Sequence, residues 1–228
     1  MNKIVIAIDG FSSTGKSTVA KLLAKELGYI YVDTGAMYRA VTYFALENNF
    51  ISKENFDKEG LISELENIHI TFKFNPELGF AEVYLNGKNI ESDIRTLEIS
   101  QYVSHVAKIS EVRRKLVQQQ QLMGKDKGIV MDGRDIATVV FPDAELKIFM
   151  TASAETRAIR RYKELLERGH NLSYKEVLQN VVSRDEIDST REDSPLVKAD
   201  DAIEFDNSTI TIKQQLAEIN KLVAEKLS

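Results

Sequence analysis

Residues Gly10-Phe11-Ser12-Ser13-Thr14-Gly15-Lys16-Ser17 spell G-x-x-x-x-G-K-S, with Thr18 next. These residue types at this spacing hold phosphate. Glycines at both ends let the backbone close on an anion, and the loop's N–H groups form a positive nest at a helix start. Lys16 then serves the outer phosphates of a nucleoside triphosphate, and Ser17 offers a hydroxyl to Mg²⁺. A plain glycine turn between strand and helix is the competing reading. The flanks argue against it, because an apolar run, Ile4–Ile8, precedes the loop and a helical stretch, Thr18–Leu27, follows.

Arginine forms the second group. Only Arg39 precedes Arg95, and none follows Arg191, whereas lysines are spread along the chain. Arginine's planar fork suits bidentate phosphate contacts, so the clustering points to local anion sites. Thr34 and Arg39 lie about one helical turn apart and can grip a phosphate. Arg184, Asp188 and Arg191 are spaced to share one helical stripe. A carboxylate between two arginines can accept from a ribose hydroxyl, although the spacing alone fits a surface ion-pair ladder better.

The elements that position these groups alternate between strand and helix. Tyr29–Val32, Ile129–Met131, Leu146–Met150 and Ala202–Asp206 read as strands after the first one. Helices are predicted near 36–47, 52–65 with polar breaks, 97–123 in two pieces, 154–191 broken at 169–172, and 210–227. The last should show Ile212, Leu216, Ile219 and Val223 on one face. Residues 68–91 instead alternate with period two around turns at Asn75-Pro76-Glu77-Leu78-Gly79 and Asn86-Gly87, predicting a small antiparallel insert. The pattern implies an α/β fold: a three-layer P-loop NTPase architecture, its parallel sheet covered by helices, with the β insert and a helical lid. Ligands should lie beyond the strand C-terminal ends, where Gly10, Asp33 and Asp132 fall.

Composition narrows the class. The chain has 228 residues, no cysteine and net charge −5. That excludes disulfides and thiolate metal sites and argues against a general nucleic-acid binder. No apolar run is long enough to span a membrane, and no signal-peptide layout is visible, so a cytoplasmic protein is expected. With no heptad run, a monomer is expected too. His69, His105 and His170 lack ligand partners at metal-site spacing and read as ordinary histidines. Tyr38 and Tyr43 read as helix packing.

Three phosphate chemistries compete. A GTPase switch needs N-K-x-D, which is missing, and a motor ATPase has little room in so compact a chain. A small-molecule kinase needs an anion pocket facing the loop, which the arginines fit. Asp33-Thr34-Gly35-Ala36-Met37-Tyr38-Arg39, Ile94-Arg95-Thr96, Asp132-Gly133-Arg134-Asp135, Val139-Val140-Phe141-Pro142-Asp143-Ala144 and Ser194-Pro195-Leu196 resemble, in order, the bacterial cytidylate kinase family. The resemblance implies ATP-dependent phosphorylation of CMP or dCMP. It implies a core of 1–33, 124–153 and 192–228, an acceptor-binding region of 34–123 carrying the insert, and an arginine-rich lid of 154–191.

Carried over by residue, Gly10 to Thr18 hold ATP, and Thr34, Arg39, Arg134 and Arg191 hold the acceptor phosphate. Ser104, Arg113 and Asp135 read the cytosine edge, and Arg184 and Asp188 take the ribose. Arg157, Arg160 and Arg161 are lid arginines. Catalysis falls to Lys16, Arg134, Arg191 and the lid set, with Ser17 and Asp132 serving Mg²⁺. Some relatives have Gly at the position of Ser17, and serine is common where Thr34 stands. The remaining alternatives are a UMP or AMP kinase and a non-catalytic nucleotide sensor.

Overall fold

The computed structural model describes residues 3–77 and 79–227. They divide into two compact units. One comprises 1–31 and 126–228, and the other 32–125.

The first unit is built on a parallel sheet. β1 (Val5–Gly10) is buried along its whole length, as a strand covered on both faces must be. It pairs in parallel with β6 (Ile129–Gly133) on one side and with β7 (Leu146–Thr151) on the other. β8 (Ile203–Asp206) continues beyond β7. With β2 (Ile30–Asp33) the strand order is β2-β6-β1-β7-β8. α1 (Lys16–Leu27) ends on Gly28, whose φ of 65° supplies the left-handed cap a side chain would resist. Val19, Ala20 and Leu23 of α1 join Ile6, Ile8, Ile148, Ile219 and Val223 in one apolar core. α6 (Ala154–Glu167) and α7 (Tyr174–Thr190) form a helical pair. α7 opens with a reciprocal cap between Ser173 and Glu176. α8 (Ile212–Leu227) closes the unit.

The second unit has its own core. α2 (Thr34–Glu47), α4 (Leu97–Val106) and α5 (Ser110–Met123) bury Met37, Val41, Val103, Val112 and Leu116 with Leu61, Ile70 and Val83. The expected insert is an antiparallel sheet of β3 (Ile70–Asn75), β4 (Phe80–Leu85) and β5 (Lys88–Asn89). Asn86 and Gly87 both have positive φ, as a two-residue hairpin turn demands. Of the other predicted turn, Leu78 lies outside the described residues.

Several expectations need correction. The 52–65 stretch is not one broken helix. Ile51 and Phe56 make an isolated antiparallel bridge, and only α3 (Lys58–Ser63) is α-helical, started by the Asp57 cap. The 36–47 helix starts at Thr34, because the Asp33 carboxylate accepts from the Ala36 N–H. The last strand begins at Ile203 and the last helix at Ile212. Along α8 the buried line is Gln215, Ile219 and Val223, while Ile212 is exposed. Gln215 takes the inner position because its side-chain carbonyl accepts from Asn207. A π-helical turn at Ile136–Val140 was not anticipated.

Candidate active site

In the first unit the glycine loop links β1 to α1. Gly10 has φ 142°, and a Cβ there would sit 2.1 Å from the Met150 carbonyl oxygen, so only glycine fits. Gly15, at φ 90°, caps α1 without a side chain, and the first turn holds no acidic residue. Its N–H groups are thus left for an anion by every side chain of that turn. The Thr14 hydroxyl donates to the Phe11 carbonyl at 3.1 Å. Lys16 Nζ donates to the same carbonyl at 2.6 Å and to Thr14 Oγ1 at 3.3 Å. Burial first, and then the Arg134 guanidinium, push the Lys16 ammonium well below the usual lysine range. A bound phosphate would push it back up.

Ser17 Oγ donates to Asp132 Oδ2 at 2.9 Å, and the Tyr31 hydroxyl donates to Asp132 Oδ1 at 2.7 Å. The end of β6 thereby meets the start of α1. Arg134 Nε donates to Asp188 Oδ2 at 2.8 Å. Burial raises the Asp188 carboxyl, but Arg134 and then Arg184 outweigh it and hold it below the ordinary range. Arg191 departs from the predicted stripe. It caps α7 with extended backbone (ψ 144°), and its Nε donates to the Ser194 carbonyl at 2.8 Å. Asp135 is buried at the C-terminal side of β6.

The three lid arginines separate into two groups. Arg157 donates to both Asp185 oxygens, at 2.9 and 2.5 Å, and to the Ser12 carbonyl at 3.3 Å, and it lies over the Phe11 ring. Arg160 donates to the Thr14 carbonyl at 3.1 Å and to Asn207. Both therefore brace the glycine loop through its carbonyls. Arg161 pairs with Glu164 one turn along its own helix.

In the second unit Asp33 collects three donors. The Ala36 N–H reaches one oxygen, while Arg39 at 2.8 Å and Arg95 at 2.9 Å reach the other. Burial alone would raise the Asp33 carboxyl, yet the two guanidiniums drive it far below its ordinary value. Arg95 also forks onto Glu91. Thr34 is buried in the first turn of α2. Ser104 is buried on α4. Arg113 on α5 is 2 % exposed, donates to the Ala107 carbonyl and lies over the Tyr38 ring at 5.4 Å. Tyr43 accepts from Lys88. His69 and His105 are exposed and His170 half-buried. Among the described residues no three His, Cys, Asp or Glu are grouped to hold a metal.

Sequence reasoning missed Asp9, Tyr31, Asp185, Asn207 and the pairing of Arg95 with Asp33. Two of these had a readable signal. Asp9 and Asn207 lie at or just beyond strand C-terminal ends, where ligand machinery gathers in such sheets. Asp185 and Tyr31 act through contacts across the fold, which no local pattern reveals.

The parallel sheet, glycine loop, Lys16 and the Ser17–Asp132 pair define a P-loop nucleotide-binding protein. A solved structure of an uncharacterized protein from Eubacterium ventriosum shares the fold at TM-score 0.52 and 13% identity, covering 98% of this chain and 99% of that one. The cytidylate kinase family profile matches residues 6–225. A protein named cytidylate kinase from Flavobacterium johnsoniae is 67% identical over 223 residues, 98% of this chain and 97% of the relative. One of the same name from Bacteroides fragilis is 57% identical over 227 residues, 98% and 99% of the two chains. The chain belongs to the cytidylate kinase family. Among the described residues no helix is long and apolar enough to cross a membrane.

Proposed function

We propose that this protein transfers the γ-phosphoryl group of ATP to CMP or dCMP, giving CDP or dCDP and ADP. The observation that carries this reading is the Ser17–Asp132 pair beside the Lys16 loop, in a chain whose relatives are named cytidylate kinases.

Gly10 to Thr18 hold the ATP phosphates. Thr34, Arg39, Arg134 and Arg191 take the acceptor phosphate, and Arg184 and Asp188 the ribose. The acceptor needs no general base, since a monophosphate with a second pKa of about 6 is already largely dianionic at neutral pH. Its oxygen attacks the γ-phosphorus, and the bond to the bridging oxygen breaks, leaving the electron pair on ADP. Lys16, Arg157, Arg160 and Arg161 stabilise charge on the transferring group, and a closed lid keeps water from it. ATP hydrolysis without CMP as fast as transfer with it would break that gating.

Ser17 and Asp132 suit Mg²⁺. Both offer oxygen, and this ion takes one or two protein ligands together with substrate phosphates rather than a full protein cage. When bound, it neutralises charge on the β- and γ-phosphates.

Selectivity rests on Asp135, Arg113 and Ser104. A carboxylate accepts from the cytosine amine, whereas uracil would set a carbonyl against it and leave a buried group unpaired. The proposal includes a monomer working in the cytoplasm, without nucleic acid. A coupled ADP-release assay with CMP, dCMP, UMP and AMP tests the reading. The expected order places CMP and dCMP well ahead of the others. Equal efficiency with UMP would sink the base assignment, and binding of ATP and CMP without CDP formation would sink the enzyme.

A further inference from the structure

Asp9 lies in β1 immediately before the glycine loop and is 1 % exposed. Its two oxygens accept from two successive backbone amides of a distant segment, Ile136 N–H at 2.9 Å and Ala137 N–H at 2.7 Å. Those amides open the π-helical turn Ile136–Val140, for which Asp135 stands at the cap position. An aspartate there ordinarily caps its own turn. Asp135 makes no side-chain cap bond, and Asp9, from the strand paired with β6, holds the first two amides of the turn instead.

The arrangement is costly. Burial pushes the Asp9 carboxyl up to about 7, against the two amide bonds that lower it; the Asp135 charge adds to the rise and Lys16 opposes it. A self-capping Asp135 would avoid a second buried carboxylate altogether.

We propose that Asp9 is a positioning residue for acceptor specificity: it caps the 136–140 turn in place of Asp135, so that the Asp135 carboxylate serves the cytosine edge instead of its own backbone. The inference rests on the base-reading role given to Asp135 above.

Asp9→Asn is the test. The amide keeps one acceptor oxygen but turns an NH₂ toward a backbone N–H, so the turn must recruit Asp135 as its cap. We expect kcat/KM for CMP to fall about tenfold or more, mainly through KM, with a smaller CMP/UMP ratio and an ATP KM within about threefold of the parent. An unchanged CMP KM and ratio overturns the inference. So does an equal loss toward ATP and CMP at constant ratio, the mark of a merely structural residue. A parent enzyme indifferent between CMP and UMP defeats the Asp135 reading itself, whereas a selective parent with an equally selective variant defeats only the role of Asp9. Should the variant not fold, NMR on the parent decides. CMP should shift the Asp9 carboxyl and the Ile136 and Ala137 amides more than UMP does, and no difference overturns the proposal.

Discussion

Asp9 and Asp33 are both buried carboxylates at the ends of strands, one in each unit, and opposite chemistries hold them. Asp9 accepts from two backbone amides and is pushed up by burial to about 7. Asp33 has an amide and two guanidiniums, which override burial and hold it far down. The difference shows what each region is built to do. Around the glycine loop, formal charges pair elsewhere, Arg157 with Asp185 and Arg134 with Asp188, while neutral backbone groups meet Asp9 and take the remaining donors of Arg157 and Arg160. Around Asp33, formal charges balance one another and fix Arg39 by pairing.

The largest expected effect probes the loop side. Lys16→Ala removes its one lysine charge and should lower turnover roughly a thousandfold, with an unchanged melting temperature; near-normal activity would refute its role. Next comes the pH dependence of stability. Asp9 has a folded pKa above its unfolded value, so its contribution to stability falls as pH rises from about 4 to about 7. Between wild type and Asp9→Asn, urea unfolding over this window should move in the variant's favour by on the order of 3 kcal/mol. Asp33 has the opposite sign. Its contribution is present above the ordinary carboxylate pKa and disappears as pH falls below it. Asp33→Asn should therefore cost about 2 kcal/mol near neutrality, by leaving two guanidiniums underpaired, and progressively less as pH falls below about 4 toward the depressed folded pKa. If both variants shift in the same direction with pH, the contrast fails. The smallest effect is Arg161→Ala, whose partner lies on its own helix at a half-exposed site; thermal unfolding should change by less than about 0.5 kcal/mol.

Much of this was legible in the sequence, for identifiable reasons. The loop is contiguous, and each of its residues has a local role, so spacing alone predicts strand, loop and helix. The β insert announces itself through alternation and the Asn86-Gly87 turn. Residues 52–65 misled because charged, helix-favouring residues there outnumber apolar ones, and the Ile51–Phe56 bridge depends on packing rather than pattern. Arg191 looked helical by arithmetic, but it is the residue on which α7 ends, with extended backbone and a contact to the Ser194 carbonyl. Asp9 was hidden because its partners lie over a hundred residues away.

The strand order carries a consequence for how the chain emerges from the ribosome. β1 is made well before its register partners, which are Ile129 to Gly133 and Leu146 to Met150. At ordinary synthesis rates it waits roughly ten seconds for its first neighbour. The 32–125 unit is contiguous and owns its apolar core, so it can be complete while β1 is still an unpaired apolar edge. Proteolysis of stalled nascent chains should find 32–125 protected before residues 5–31; simultaneous protection would contradict this order. The strand that leads into the glycine loop would then be among the last segments to become a nucleotide site, although it is made long before its partners, and the chain would depend most on chaperone shelter during that interval.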